Sequence, residues 1–124
     1  MSLLLDTRVL LWLASDDPRL GAATRAAVAR AGVLVSAISL WEIAIKQAAG
    51  RLTAPPAAAL LADAMVTVLA LNGEHAIAAG ALPGHHRDPF DRALVAQAQL
   101  EGLVLVTADH QLQQYDVALL DATR

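Results

Sequence analysis

A chain of 124 residues without cysteine can form one domain with a substantial core, and it excludes disulfides, thiolate metal sites and cysteine nucleophiles. It is 56% hydrophobic with 17% charged residues, and its mean hydropathy is +0.48, so some apolar surface is expected to remain for a partner or a second copy. The formal net charge of −3 gives no global sign of nucleic-acid binding. Such binding would need a local basic rim, for which the candidates are Arg8, Arg51, Arg87 and Arg92.

No apolar run approaches the roughly 20 residues needed to cross a bilayer. The first residues lack the basic start of a signal peptide, and Asp6 ends their apolar run. We therefore expect a single domain over residues 1–124 that resides in the cytoplasm and is not held in a membrane.

Short apolar runs alternate with helical patterns along the chain. Strands are predicted at residues 2–6, 33–35, 66–71, 103–106 and 117–120. Helices are predicted at residues 8–14, 22–30, from Ser36 or Ser39 to about Ala49, from Pro55 to about Ala64, 74–81 and 90–101, with a helical turn at 110–115. This alternation predicts an α/β fold with a mostly parallel sheet and helices packed against it.

Four acidic residues occupy the points where such a fold exposes side chains at one edge. Asp6 and Asp109 follow predicted strands, Asp91 lies in the first turn of a predicted helix, and Glu42 interrupts an apolar segment. Ligands bind open parallel sheets beyond the carboxyl ends of the strands. Clustered carboxylates repel one another unless a cation lies among them, so this pattern predicts a divalent-metal site. Thr107 could orient one of these carboxylates or a bound water.

Helix capping is the simpler interpretation of several of these acids. Asp6 or Thr7 can cap the helix that begins near residue 8, and Asp109 can cap the turn that follows it. Asp88 is predicted to be an N-cap, and Asp91 then occupies the third helical position, where a carboxylate complements the helix dipole. For Asp88 the capping role is favoured over a metal role.

Glu42 is harder to explain by helix structure alone. Helical spacing places it on the same face as Ile38 and Ile45, which predicts an inward-pointing apolar stripe. A pair with Lys46 at i, i+4 is worth about 0.2–0.5 kcal/mol, whereas burying a carboxylate costs several kcal/mol. We therefore expect Glu42 to reach a cation or a polar cleft.

The histidines and tryptophans are interpreted as structural or peripheral. His85 and His86 lie in a Pro/Gly loop and could form a zinc site with His110, but no i, i+4 pair fixes them, so a histidine metal site is not favoured. Trp12 and Trp41 are predicted to be core or interface residues rather than platforms for base stacking.

Four segments, in order, resemble motifs of the PIN domain and, more narrowly, of VapC-type toxins from bacterial toxin–antitoxin pairs. They are residues 4–12, 36–43, 88–98 and 105–109. The resemblance extends over essentially the whole chain, and the ordered set is far more specific than any one segment.

The resemblance implies a three-layer α/β/α sandwich and an endoribonuclease that depends on Mg²⁺ or Mn²⁺. It assigns the acidic quartet of metal-binding and catalytic residues to Asp6, Glu42, Asp91 and Asp109. It gives supporting places to Thr107, as the hydroxyl at the strand end, and to Asp88, in the third motif. Many relatives have histidine where this chain has Arg8, which affects contact with substrate but not the quartet.

The resemblance also implies partners. These are an RNA substrate, a cognate VapB-like antitoxin whose C-terminal segment covers the acidic pocket, and a second copy in a homodimer. The alternative function is a non-catalytic PIN-like interaction module. A phosphotransferase or phosphatase with Asp6 as nucleophile ranks third, because no second acid follows two residues later and no lysine follows a late strand.

Overall fold

The computed structural model describes residues 2–53, 56–62 and 66–124. The strands are β1 (Leu3–Leu5), β2 (Val33–Ser36), β3 (Val66–Leu69), β4 (Val104–Thr107) and β5 (Leu119–Asp121). The helices are α1 (Thr7–Ala14), α2 (Ala22–Ala31), α3 (Ala37–Ala48), α4 (Ala57–Leu61), α5 (Gly73–Ala81) and α6 (Pro89–Glu101), and a 3₁₀ turn covers His110–Gln114.

The predicted order of strands and helices is confirmed, with differences at a few element ends. The strand predicted to reach residue 71 ends at Leu69, because its neighbour β2 ends at Ser36, the partner of Leu69. The last strand begins at Leu119 rather than residue 117. For the helix predicted from Pro55 to about Ala64, both predicted end residues lie outside the described residues.

All five strands are parallel, in the order β3-β2-β1-β4-β5. The chain therefore builds outward from β1 to β3 and then crosses to the other side of β1 to add β4. The chain leaves β1 into α1 and leaves β4 into the 3₁₀ turn, so a crevice opens between the carboxyl ends of these two adjacent strands. Open α/β sheets bind ligands at such a point.

The central strand β1 shows why helices cover both faces of the sheet. Successive side chains of a strand point to opposite faces, and all three residues of β1 are buried. Leu3 and Leu5 belong to a core cluster with side chains from α1 to α4, whereas Leu4 belongs to a second cluster with Leu94 of α6 and Leu105 of β4. The predicted three-layer α/β/α sandwich is confirmed.

The two tryptophans have different environments. Trp12 is buried in the first core cluster, as predicted. Trp41 is 60% exposed, so a core role for it is wrong, and it makes an edge-to-face contact with Phe90 at 5.6 Å between ring centroids. In the part of the chain that the structure describes, no helix has the length and apolar character to cross a membrane.

Candidate active site

A cavity of about 570 Å³ opens at the carboxyl edge of the sheet. All of the acids singled out in the sequence line it, namely Asp6, Glu42, Asp88, Asp91 and Asp109. The topology brings them together because Asp6 and Asp109 follow the adjacent strands β1 and β4, while α3 and α6 pack against each other. The predicted clustering of these side chains is thus present in the fold.

Asp6 is fixed through both carboxylate oxygens. As the N-cap of α1 it accepts a bond from the Val9 backbone N–H at Oδ1 (2.8 Å), and Oδ2 accepts the Thr107 hydroxyl (2.5 Å). Thr7 does not cap the helix, contrary to the alternative considered above, because its hydroxyl donates to Ser39 Oγ at 3.0 Å. Burial raises the pKa of Asp6 in spite of the two hydrogen bonds. Each carboxylate oxygen can accept more than one bond, so Asp6 retains sites for a cation.

Asp109 caps the 3₁₀ turn as predicted, and it is tied to Asp6 through Thr107. Its Oδ1 accepts the Gln111 backbone N–H at 2.9 Å, and its own N–H donates to Thr107 Oγ1 at 3.0 Å. Burial alone would raise the pKa of Asp109, but hydrogen bonds from Gln111 and from His86 outweigh burial and lower it. Thr107 therefore orients one acid directly and positions the backbone of the other.

Asp88 and Asp91 lie at the start of α6 and have different environments. Asp88 is the N-cap, with Oδ1 accepting the backbone N–H groups of Phe90 (2.8 Å) and Asp91 (3.4 Å), which confirms the predicted cap. Burial raises the pKa of Asp91 to about 7, and repulsion from Asp88, Asp6 and Glu42 adds to that rise. The physical cause is that these carboxylates share a poorly solvated space.

Glu42 leaves one buried oxygen without a partner. The residue is 7% exposed, and Oε2 pairs with Lys46 Nζ at 2.9 Å. Among the described residues, Oε1 has no hydrogen-bond partner, a deficit that costs about 1–3 kcal/mol or more for a charged group. The predicted inward stripe is wrong at Ile45, which is 43% exposed. Glu42 is therefore not buried as part of an apolar helix face; it is buried because it lines the cavity.

These donors fit a hard divalent cation. Mg²⁺ and Mn²⁺ prefer carboxylate oxygens, and the cavity offers several of them together with the unpaired Oε1 of Glu42. A cation would satisfy this oxygen and offset the repulsion that raises the pKa of Asp91.

His86 also lies in the site, although the sequence did not favour a histidine there. Its Nε2 is 3.0 Å from Asp109 Oδ2 and 3.3 Å from Asp91 Oδ2, and its side chain is 14% exposed. One ligand atom from each of these three residues lies within 4.8 Å of the others. His85 is exposed, as predicted, and contacts the Tyr115 ring. The helical-pair criterion missed His86 because the ring is fixed by a loop contact, from the Asp88 N–H to Nδ1 at 3.1 Å.

Arg92 holds the loop that carries His86. It was a candidate for a basic rim around the site, but its guanidinium is bound to backbone carbonyls instead. The guanidinium donates to carbonyls at the end of α5 and in the loop after it, at 2.8–3.3 Å. These acceptors are the carbonyl oxygens of Ala79, Gly80, Leu82, Pro83 and His86. Of the basic residues, Arg8 and Lys46 line the cavity instead.

The family of the chain follows from its sequence and is consistent with this fold. The family model named PIN domain matches residues 3–118, and the chain therefore belongs to the PIN domain family. A comparison with curated proteins gives no significant match.

Solved structures share the fold over nearly their full length. VapBC2 from Rickettsia felis, bound to a promoter DNA fragment, matches with a TM-score of 0.75 at 15% identity, covering 97% of this chain and 98% of that one. DNA-bound VapBC from Salmonella typhimurium matches with a TM-score of 0.74 at 22% identity and 98% coverage of each chain. VapBC-1 from nontypeable Haemophilus influenzae matches with a TM-score of 0.69 at 21% identity, covering 100% of both chains. At these identities the likeness shows a shared fold.

Proposed function

We propose that this protein is a Mg²⁺- or Mn²⁺-dependent endoribonuclease, acting as the VapC-type toxin of a toxin–antitoxin pair. The observation that carries the proposal is the buried Oε1 of Glu42, which has no partner among the described residues and lies in a cavity lined by four further acids. A buried charged oxygen needs a partner, and a divalent cation would supply one. Membership of the PIN family and the shared fold with toxin–antitoxin complexes support the assignment as a toxin.

The residues have distinct proposed roles. Asp6 and Asp91 hold the principal cation, directly or through water, while Glu42 and Asp109 complete its surroundings and orient the attacking water. Thr107 fixes the Asp6 carboxylate. When bound, the cation supplies Lewis-acid activation of water and neutralises charge on the phosphate.

Asp88 supports the site by a different means. Its bonds to the first backbone N–H groups of α6 fix the direction of the helix that presents Asp91. Arg8, exposed at the cavity, supplies positive charge for the RNA backbone.

Two alternatives are less well supported. A non-catalytic interaction module has no use for a buried group of acids, in which burial, with added repulsion from the neighbouring acids, raises the pKa of Asp91 to about 7. A phosphotransferase with Asp6 as nucleophile is disfavoured because Arg8, rather than a second acid, stands two residues after Asp6.

The proposed partners are a VapB-like antitoxin and a second copy of the chain, in the cytoplasm. Two of the proteins that share this fold are VapBC complexes bound to DNA. Large hydrophobic side chains exposed on α3, β3, α5 and α6 support protein contacts; among them are Trp41, Ile45, Val68, Ile77 and Leu100. Sedimentation of the purified chain, alone and with the antitoxin, measures both associations.

Replacing Asp6 with asparagine will remove metal-dependent cleavage while preserving the fold. Asparagine is as good an N-cap as aspartate, but it lacks the charge that holds a cation. We expect cleavage of structured RNA in Mg²⁺ or Mn²⁺ to fall about 100- to 1,000-fold, since a bound cation contributes several kcal/mol to such reactions.

The matched control is Asp116→Asn, which changes an exposed acid that is not among the cavity-lining residues. It should cleave like the unmodified protein, and chelator should stop both. Cleavage by Asp6→Asn at the unmodified rate would contradict the proposed role of Asp6 and point to a contaminating nuclease.

The products should carry 5′-phosphate and 3′-hydroxyl ends. Attack by water on the phosphorus does not involve the ribose 2′-hydroxyl, and the proposed site rests on carboxylates around a cation rather than on a pair of histidines across a phosphate. Mass spectrometry of the cleaved RNA distinguishes these ends, and 2′,3′-cyclic phosphates would rule the mechanism out.

A further inference from the structure

We propose that His86 is a positioning residue of the site, whose imidazole donates its Nε2–H to Asp109, lies beside Asp91 and does not itself bind the cation. Nε2 lies 3.0 Å from Asp109 Oδ2 and 3.3 Å from Asp91 Oδ2. The part of this inference that concerns metal binding and catalysis rests on the proposed function. The hydrogen-bonding state of the ring can be tested without it.

The backbone of Asp88 sets the tautomer. The Asp88 N–H donates to His86 Nδ1 at 3.1 Å, so Nδ1 carries a lone pair and the ring proton of the neutral form is on Nε2. That nitrogen lies 3.0 Å from Asp109 Oδ2, and a carboxylate oxygen accepts hydrogen bonds. A nitrogen that carries a proton has no lone pair for a metal, and so the arrangement suits donation rather than coordination.

The ring is held in place by the loop that carries it. The backbone N–H of His86 donates to the Tyr115 hydroxyl at 3.0 Å, and that hydroxyl donates to the Pro83 carbonyl at 2.9 Å. Arg92 donates to the carbonyl of His86 at 3.2 Å. Coordination of a metal through Nδ1 would break the bond from Asp88, and coordination through Nε2 would require loss of its proton and of both carboxylate contacts.

As a consequence, Asp109 and Asp91 belong to one hydrogen-bonded group and Glu42 does not. His86 links Asp109 to Asp91 and moderates their repulsion, while Gln111 fixes the other oxygen of Asp109. The unpaired Oε1 of Glu42 lies outside this bonded group. Residues that orient metal ligands by hydrogen bonds typically change metal affinity or activity by about 10- to 100-fold when removed.

The first test is the tautomer of His86 in the metal-free protein. Long-range ¹⁵N–¹H correlation spectra at neutral pH should show Nδ1 unprotonated and Nε2 protonated. The opposite tautomer would overturn the proposal. This result does not depend on nuclease activity or on metal binding.

The second test compares His86→Gln with His86→Asn. The glutamine amide nitrogen reaches about as far as Nε2 and can donate to the same carboxylates, whereas the asparagine amide is too short. By calorimetry we expect His86→Gln to bind Mn²⁺ within about threefold of the unmodified protein and His86→Asn to bind it about 10-fold or more weakly. His85→Gln, at the exposed neighbouring position, is the control and should bind normally.

The third test is electron spin-echo spectroscopy of the Mn²⁺-loaded protein. We expect no ¹⁴N coupling of the size produced by a directly bound imidazole. Such a coupling, lost in His86→Gln, would show that His86 is a ligand and overturn the proposal, as would equal Mn²⁺ affinity in both variants. If the unmodified protein binds no Mn²⁺, the proposed function fails while the tautomer experiment still decides the hydrogen bonding of His86.

Discussion

Asp91→Asn is expected to abolish metal-dependent RNA cleavage and, in chelator at pH 7, to make the protein more stable. The pKa of Asp91 is raised from 3.8 to about 7 by burial and by the neighbouring acids. The folded protein therefore holds a proton between about pH 4 and pH 7 that the unfolded chain releases. Stability must fall as the pH rises through that window, and asparagine removes this loss.

The gain should be about 1–3 kcal/mol at pH 7, after allowance for solvent in an open cavity. It exceeds the cost of losing a carboxylate near the N-terminus of α6, which is about 0.3–1 kcal/mol. The raised pKa of Asp6 acts in the same direction and the lowered pKa of Asp109 in the opposite one. Asparagine at position 91 thus removes the largest pH-dependent contribution from the site.

Thermal unfolding from pH 4.5 to 7.5, with chelator and with Mn²⁺, measures the effect. In chelator the unmodified protein should lose stability with rising pH and Asp91→Asn should lose less. In Mn²⁺ the unmodified protein should gain stability toward pH 7, because the cation binds the ionised acid. Parallel pH profiles for the two proteins in chelator would contradict the burial of a charged cluster at Asp91.

Arg92→Ala is expected to cause a large loss of stability for a change at a partly exposed polar residue. The guanidinium donates to carbonyls at the end of α5 and in the loop before α6, and hydrogen bonds to charged groups contribute about 1.5–3 kcal/mol each when well buried. Arg92 is half-buried, so we expect a total loss of about 2–4 kcal/mol, or a Tm lower by about 10 °C.

Denaturant unfolding of Arg92→Ala, Arg92→Lys and Arg87→Ala measures this loss. Lysine keeps the charge but not the planar set of donors, so Arg92→Lys should fall between alanine and the unmodified protein. Arg87 is exposed in the same loop, and its removal should change stability by less than about 0.5 kcal/mol. Because the loop carries His86, cleavage by Arg92→Ala should be impaired even below its Tm. Equal stability of Arg92→Ala and Arg87→Ala would show that the carbonyl contacts contribute little.

Features set by a few neighbouring residues could be predicted from the sequence. Asp88 caps α6 and Asp6 caps α1 through bonds to backbone N–H groups two or three residues later, and the apolar runs predicted the order of the strands and helices. Glu42 was predicted to be a site residue because the free energy of its pair with Lys46 is too small to offset the cost of burying its carboxylate. That pair is present, and within the described part of the chain the other oxygen of Glu42 has no partner.

Contacts between distant segments could not be predicted in this way. The Thr107 hydroxyl donates a hydrogen bond to Asp6, which is 101 residues away in the sequence, and His86 forms a hydrogen bond with Asp109, 23 residues away. The outward position of Trp41 and the inward position of Arg92 likewise depend on which elements pack beside α3 and α6.

The sequence by itself determined which acids this protein places at the ends of its strands and at the starts of its helices, because capping and hydrophobic period act over a few residues. The tertiary structure alone decided that these acids share one cavity and that His86 joins them. The physical reason is the sheet order: β4 pairs in parallel with β1, with Leu5 opposite Val106, and this pairing brings Thr107 and Asp109 to Asp6.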